Sequence, residues 1–262
     1  PVIAMHTYHN HPTMIPSLGV VKKSAKTYWY ASQNNDIPIT QSSSLDAPYF
    51  RAISMLRFLD RPFMVTEYSL TAPERFRHER GLYFGSYAAL QGWDNLTSHS
   101  DMVRLKFDHF SLFENFSDPI SRASETVVAL TWFREDVKTA SHSVKMQLMP
   151  EKMFPQNYCG VVSDDYARLS MLTKVGISYD GPGNEKADFT FIPDKFGKVT
   201  IKGYFSQIDT SGTGEINLLV DQLRKKNILP KNNQTNPVNG IYESETGELL
   251  LNTKLLTLHV NT

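Results

Sequence analysis

The stretch 61–101, RPFMVTEYSLTAPERFRHERGLYFGSYAALQGWDNLTSHSD, constrains the fold more than any other part of the chain. It opens on a short apolar run, Phe63-Met64-Val65, that passes directly into Thr66-Glu67-Tyr68. A run of this length bounded by turn residues reads as a buried strand. A turn-rich segment containing Pro73 follows. Residues 79–90 then read as a helix whose apolar complement is Leu82, Phe84, Tyr87, Ala88 and Leu90. Gly85-Ser86 and Ala88-Ala89 are small enough for close packing, and Gly92 supplies a stop. A second short strand is expected over 95–98. Strand, loop, helix, strand is the repeat of α/β folds. It leaves the carboxylate of Glu67 at the C-terminal end of a buried strand, where barrels of alternating strands and helices carry their reactive side chains. A charge at such a place must be solvated or paired. Glu67 is therefore either a reacting group at a pocket mouth or one half of an ion pair with a neighbouring arginine.

The rest of the chain is weighed by how it bears on Glu67. Residues 2–8 (VIAMHTY) read as another buried strand that ends in polar groups. His6 and Tyr8 are two apart, so they project to one side of a strand and are placed to bond a polar ligand together. The alternative for His6 is a packed, hydrogen-bonded side chain. Residues 13–47 have no sustained period and hold an aromatic island, Tyr28-Trp29-Tyr30; loops of that length are commonly functional. Residues 48–59 carry Phe50, Ile53, Leu56 and Leu59 at helical spacing, with Pro48 suited to a first turn. Asp118-Pro119 signals a helix start, with the helix running to about Phe133. Beyond Val137 the pattern changes: 142–148 and 198–205 alternate, 216–227 reads as one helix, and 240–260 reads as strand, turn, strand, strand. The expected division is an α/β part over 1–136 and a mostly β part over 137–262.

Charge and cysteine usage exclude several classes of function. Lys+Arg and Asp+Glu are both 27, so the net charge is zero, which argues against nucleic acid as a partner. No apolar run approaches the roughly 18–20 residues of a membrane span, so no membrane association is expected. Cys159 is the one cysteine, which rules out an internal disulfide and argues against a Cys-based zinc site. His6, His9 and His11 invite a metal reading, but Pro12 turns the segment, and convergence of the imidazoles does not follow from spacing. No cofactor is expected. Trp93 is the aromatic residue expected to stand beside a strand at the same end as Glu67, where its face would be open to a ring-shaped ligand.

The stretch from Arg61 to Asp94 resembles the last part of the (β/α)8 barrel of retaining glycoside hydrolases of the clan A superfamily. In those enzymes an apolar run leads into Thr-Glu-aromatic, followed by Pro, an aromatic-Arg pair, a Glu, and a helix ending Ala-Leu-Gln-x-Trp-Asp. HTYHNHP is similar to the segment that follows an earlier barrel strand. SDPISRASETVVALTWFREDVKTA resembles the closing helix and its exit into a β domain, and SETGELLLNTKLLTLHVNT a strand pair near that domain's end. The fold the resemblance implies is α/β plus β: the C-terminal part of a TIM barrel over 1–136, then a β-sandwich-like accessory domain over 137–262.

The resemblance also implies roles. Glu67 would be the nucleophile of a double displacement on a polysaccharide or other O-glycoside. His6, Tyr8 and His99 would bind substrate around the scissile sugar, and Trp93 would be its platform. Such an enzyme needs a second carboxyl about 5–5.5 Å from the first. The family places it in an Asn-Glu pair at an earlier strand end. Asn184-Glu185 lies in a turn of the β part and does not match that position. The chain is therefore expected to be an internal piece of a longer polypeptide, inactive alone, whose partner is an N-terminal half-barrel, covalent or in trans. A secreted or periplasmic setting is expected. The alternative is a non-catalytic carbohydrate-binding protein that retains the barrel scaffold.

Overall fold

A computed structural model describes residues 2–8, 53–69, 76–99, 118–149, 164–179, 186–193, 198–202, 205–209, 215–253 and 257–261. Strands β1 (Ile3–Tyr8), β2 (Phe63–Ser69) and β3 (Asn95–Ser98) form a parallel sheet in the order β1-β2-β3. Helix α1 (Glu79–Gln91) is the crossover from β2 to β3. This is the strand, loop, helix, strand order expected over 61–101. Among the described residues β1 and β3 each pair with β2 alone, so the sheet is open and the barrel stays an expectation. Of the helix expected over 48–59, Ile53 and Ser54 are helical, and residues 48–52 lie outside the described residues.

Helix α1 ends at Gly92, whose φ of 60° is left-handed and whose N–H closes onto the Ala88 and Ala89 carbonyls. Its other glycines serve a different need. A Cβ on Gly81 would lie 2.1 Å from the Ser124 carbonyl oxygen, and one on Gly85 would lie 2.2 Å from Thr131 Oγ1. The glycines let α1 press against α2 (Pro119–Val128) backbone to backbone. Asp118 caps α2, accepting from the N–H groups of Ile120 and Ser121 at 3.3 and 3.2 Å, with Pro119 in the first turn. The helix then widens into a π-type turn, Ala129–Phe133, in which the Arg134 N–H reaches back to the Ala129 carbonyl at 2.9 Å. The boundary expected near Phe133 is where the helical winding stops.

The second part departs from a sandwich of facing antiparallel sheets. β4 (Ser143–Leu148) lies parallel to both β5 (Lys174–Tyr179) and β6 (Phe189–Phe191), in the order β5-β4-β6. Between β4 and β5 the chain passes through the short helix α3 (Asp164–Arg168). Val144, Lys145 and Met146 are all buried, the mark of a strand covered on both faces, as parallel strands are. Among the described residues antiparallel pairing joins β7 (Lys198–Lys202) to β8 (Phe205–Asp209) and β10 (Leu249–Asn252) to both β9 (Ile241–Glu243) and β11 (Thr257–Val260), with an isolated bridge from Asn236 to Ile241. Helix α4 (Glu215–Lys225) overlaps the stretch expected to be helical, starting one residue earlier and ending two residues sooner.

The two parts share one buried core, which runs from Phe63 and Leu90 through Val137 to Val144, Val175 and Leu251. Gln91, the last residue of α1, ties them. Its amide donates to the carbonyls of Ser170 and Thr173 at 2.8 and 2.6 Å, and its Oε1 accepts from the Val175 N–H at 3.0 Å. The Arg57 guanidinium donates to the Gln91 carbonyl, and the Ile177 N–H donates to the Arg57 carbonyl. Because α1 runs back from the C-terminal ends of the strands, this joint lies at their N-terminal ends.

Candidate functional site

The register of β2 explains how Glu67 reaches an open face. Against β1, Met5 pairs with Val65 and His6 with Glu67, so Thr66 is skipped. Against β3, Val65 pairs with Leu96 and Tyr68 with Ser98, and one residue of β2 is again extra. Such a bulge shifts every later side chain to the other face of the sheet. Phe63, Val65 and Tyr68 are all fully buried, with Phe63 against Trp93 and Tyr68 stacked on Phe84 of α1 at 4.6 Å. If alternation ran unbroken through Thr66, Glu67 would fall in step with Phe63 and Val65 and face the helix. With the bulge, Glu67 projects from the opposite side and is about one-third exposed.

Two imidazoles flank the carboxylate. Nδ1 of His6, its register partner on β1, is 3.5 Å from Glu67 Oε2, and Nδ1 of His99 is 3.9 Å from the same oxygen. The His99 N–H donates to the Tyr68 carbonyl at 2.9 Å, which extends the β2–β3 ladder past Ser98 and fixes where the ring starts. Glu67, His6 and His99 are thus brought together by three parallel strand ends. Tyr8 closes β1 opposite Ser69. His9 and His11 lie outside the described residues, and among those described no group of three His, Cys, Asp or Glu has the arrangement of a metal site.

The strand is locked from behind by a buried polar cluster that the sequence did not single out. The Tyr68 hydroxyl donates to Glu125 of α2 at 3.1 Å, and Arg80 of α1 reaches the same carboxylate at 2.5 Å. The Arg80 guanidinium also donates to the Ser121 carbonyl and lies over the Tyr68 ring. Burial, followed by the charge of Glu125, pushes the Tyr68 phenol well above its ordinary pKa. It stays protonated and keeps donating. Nearby, Arg77 Nε meets Asp118 Oδ2 at 2.7 Å. Burial alone would raise the Asp118 pKa, but the hydrogen bonds from Arg77, Ser121 and the Ile120 N–H together hold it below the ordinary value.

Trp93 corrects one expectation. It precedes β3 and packs on Phe63, the first residue of β2, with ring centroids 5.4 Å apart. It is 3% exposed and sits at the end of the sheet away from Glu67. The residue before a parallel strand belongs to the strand's entry, so this tryptophan cannot be a platform for a sugar held at the exits.

Ser141, His142 and Glu245 are a second group of residue types used in nucleophilic catalysis. Ser141 Oγ and Glu245 Oε1 both meet His142 Nδ1, at 3.2 and 3.3 Å. A relay needs its serine and its acid on different ring nitrogens. Glu245 also accepts from the N–H groups of Ser141 and His142 and from Thr173 Oγ1. The cluster pins the β9–β10 turn to the start of β4.

No described helix is long and apolar enough to cross a membrane. Comparison with family models, with curated proteins and with solved structures found no match to this chain.

Proposed function

We propose that this chain is the C-terminal part of a retaining glycosidase, in which Glu67 attacks the anomeric carbon of a polysaccharide or other O-glycoside. The observation that carries the reading is the bulge at Thr66, which takes a carboxylate out of step with the helix-facing residues and delivers it between two imidazoles at the exits of three parallel strands. Bulges of this kind recur beside active sites, where they re-aim one side chain.

In this reading Glu67 displaces the leaving group and forms a glycosyl-enzyme, which water then hydrolyses. His6 and His99 stand where hydroxyls of the bound sugar would be held by hydrogen bonds. The neighbouring described strand-end positions hold His6, Ser98 and His99, none of which carries the carboxyl group that would protonate the leaving oxygen. The half-barrel partner inferred from the sequence would supply it.

The test is made in the protein with its barrel completed. Glu67→Gln should lower turnover of an aryl glycoside roughly a thousand-fold or more, while its melting temperature stays within about 1 °C of the parent. A 2-deoxy-2-fluoro glycoside should label Glu67 in the parent protein, and the adduct is read by peptide mass spectrometry. Full turnover in Glu67→Gln, or a label on another carboxylate, would overturn the assignment. Sugar binding with no turnover in the parent would leave the scaffold as a binding protein.

A further inference from the structure

At the N-terminal end of β3, away from Glu67, a cleft of about 570 Å³ opens between the end of α1 and the π-type turn that follows α2. Trp132, Phe133, Asp94, Glu135 and Lys138 are among its walls. The turn sets the two aromatic rings. Trp132 Nε1 donates to the Trp93 carbonyl at 3.1 Å, which fixes the indole plane. Phe133, 6.5 Å away between centroids, is 80% exposed and is the most exposed large apolar side chain among the described residues. Glu135 completes the turn at a φ of 63°, a conformation that costs a non-glycine residue free energy.

The charges at the rim indicate what the cleft takes. Lys138 Nζ is 3.2 Å from Glu248 Oε1, and Arg134 pairs with Asp136. Asp94 Oδ2 accepts from the Phe63 N–H at 2.9 Å and faces the buried Arg57 guanidinium. Among the described residues Glu135 has no ion-pair partner. An anion would meet no unpaired cation on this lining, and a polycation would meet a single acid. A fixed indole, an open phenyl ring and one carboxylate able to accept from two adjacent hydroxyls suit a neutral polyhydroxylated chain.

We propose that this cleft is a second carbohydrate-binding site, which holds a neutral polysaccharide at the end of the sheet remote from Glu67. It rests on residues that play no part in the proposed reaction, so it stands or falls separately from that reading. The experiment is native affinity electrophoresis of the full chain through gels cast with hydroxyethylcellulose, arabinoxylan, galactomannan or mixed-linkage β-glucan. Retardation is expected in at least one gel. Phe133→Ala should weaken it roughly five- to tenfold, the size of a lost ring-face contact. Glu135→Ala should weaken it too, and Glu67→Gln should leave it unchanged. Phe133 is exposed, so Phe133→Ala should melt with the parent; Glu135→Ala guards against a local packing effect. Equal mobility with and without every polysaccharide, or retardation indifferent to both variants, would overturn the proposal. So would a concentration-dependent dimer in sedimentation that Phe133→Ala abolishes, because a second copy would then be the occupant.

Discussion

The two ends of the β1-β2-β3 sheet are built on different terms. At the strand exits Glu67, His6 and His99 are partly exposed and meet across 3.5 and 3.9 Å, longer than a good hydrogen bond. At the strand entries Trp93 and Phe63 are buried, and Gln91 makes three buried side-chain hydrogen bonds that join α1 to the second part. The first end leaves its polar groups partly exposed. The second satisfies its polar groups internally and surrenders access. A protein that must present a reacting carboxylate needs both, because the open end is only as well positioned as the closed end is rigid.

The sharpest way to break this contrast is to delete Thr66. Plain alternation then keeps Glu67, now directly after Val65, on the open face opposite His6, so turnover in the completed protein should stay well above that of Glu67→Gln, in which the proposed reaction falls roughly a thousand-fold or more. A deletion as inactive as Glu67→Gln would show that the face and register of Glu67 are not enough to position it. The closed end is tested next. Gln91→Leu leaves two carbonyls and one N–H buried without their partner, and should cost about 3 kcal/mol, or roughly 6–12 °C in melting temperature. A loss below about 1 kcal/mol would mean that the two parts are held by the apolar core alone.

The smallest effect sharpens the picture of the open end, since Asp118 and Arg77 tie the starts of α1 and α2 on that side. Asp118→Asn should cost about 1–2 kcal/mol near neutral pH. The Asp118 pKa is held below its unfolded value, so its contribution is complete above about pH 4 and is lost as pH falls through the lower folded value. The difference in melting temperature between parent and variant should therefore shrink in acid. A difference that persists at pH 2 would assign the effect to packing.

Much of the element map was legible because it rests on short-range chemistry. The capping side chain of Asp118, the φ of Pro119 and the left-handed stop at Gly92 act within a few residues, and α1, β3 and the start of α2 fall where those signals place them. Alternation over 142–148 marked a strand, yet it carries nothing about the direction of the strand's neighbours, and β4 is parallel to both. The site was half legible. Glu67 at a strand end, with His6 beside it, follows from the order of the elements. Trp93 was assigned to the wrong end, because an aromatic residue before a strand looks the same in sequence whether it packs at the entry or stands at a rim.

What the sequence determined by itself is the order of strand, helix and strand and the residue types at their ends, since propensity, capping and turn chemistry are local. What only the tertiary structure decided is which face each side chain uses. The extra residue at Thr66 exists only relative to Met5, His6, Leu96 and Ser98 on the strands beside it. Gln91 becomes a joint only when Ser170, Thr173 and Val175 arrive from about 80 residues further along the chain. Register and buried hydrogen bonds are properties of pairs distant in sequence, and that is why a carboxylate readable as a strand end needed its neighbours before it could be aimed.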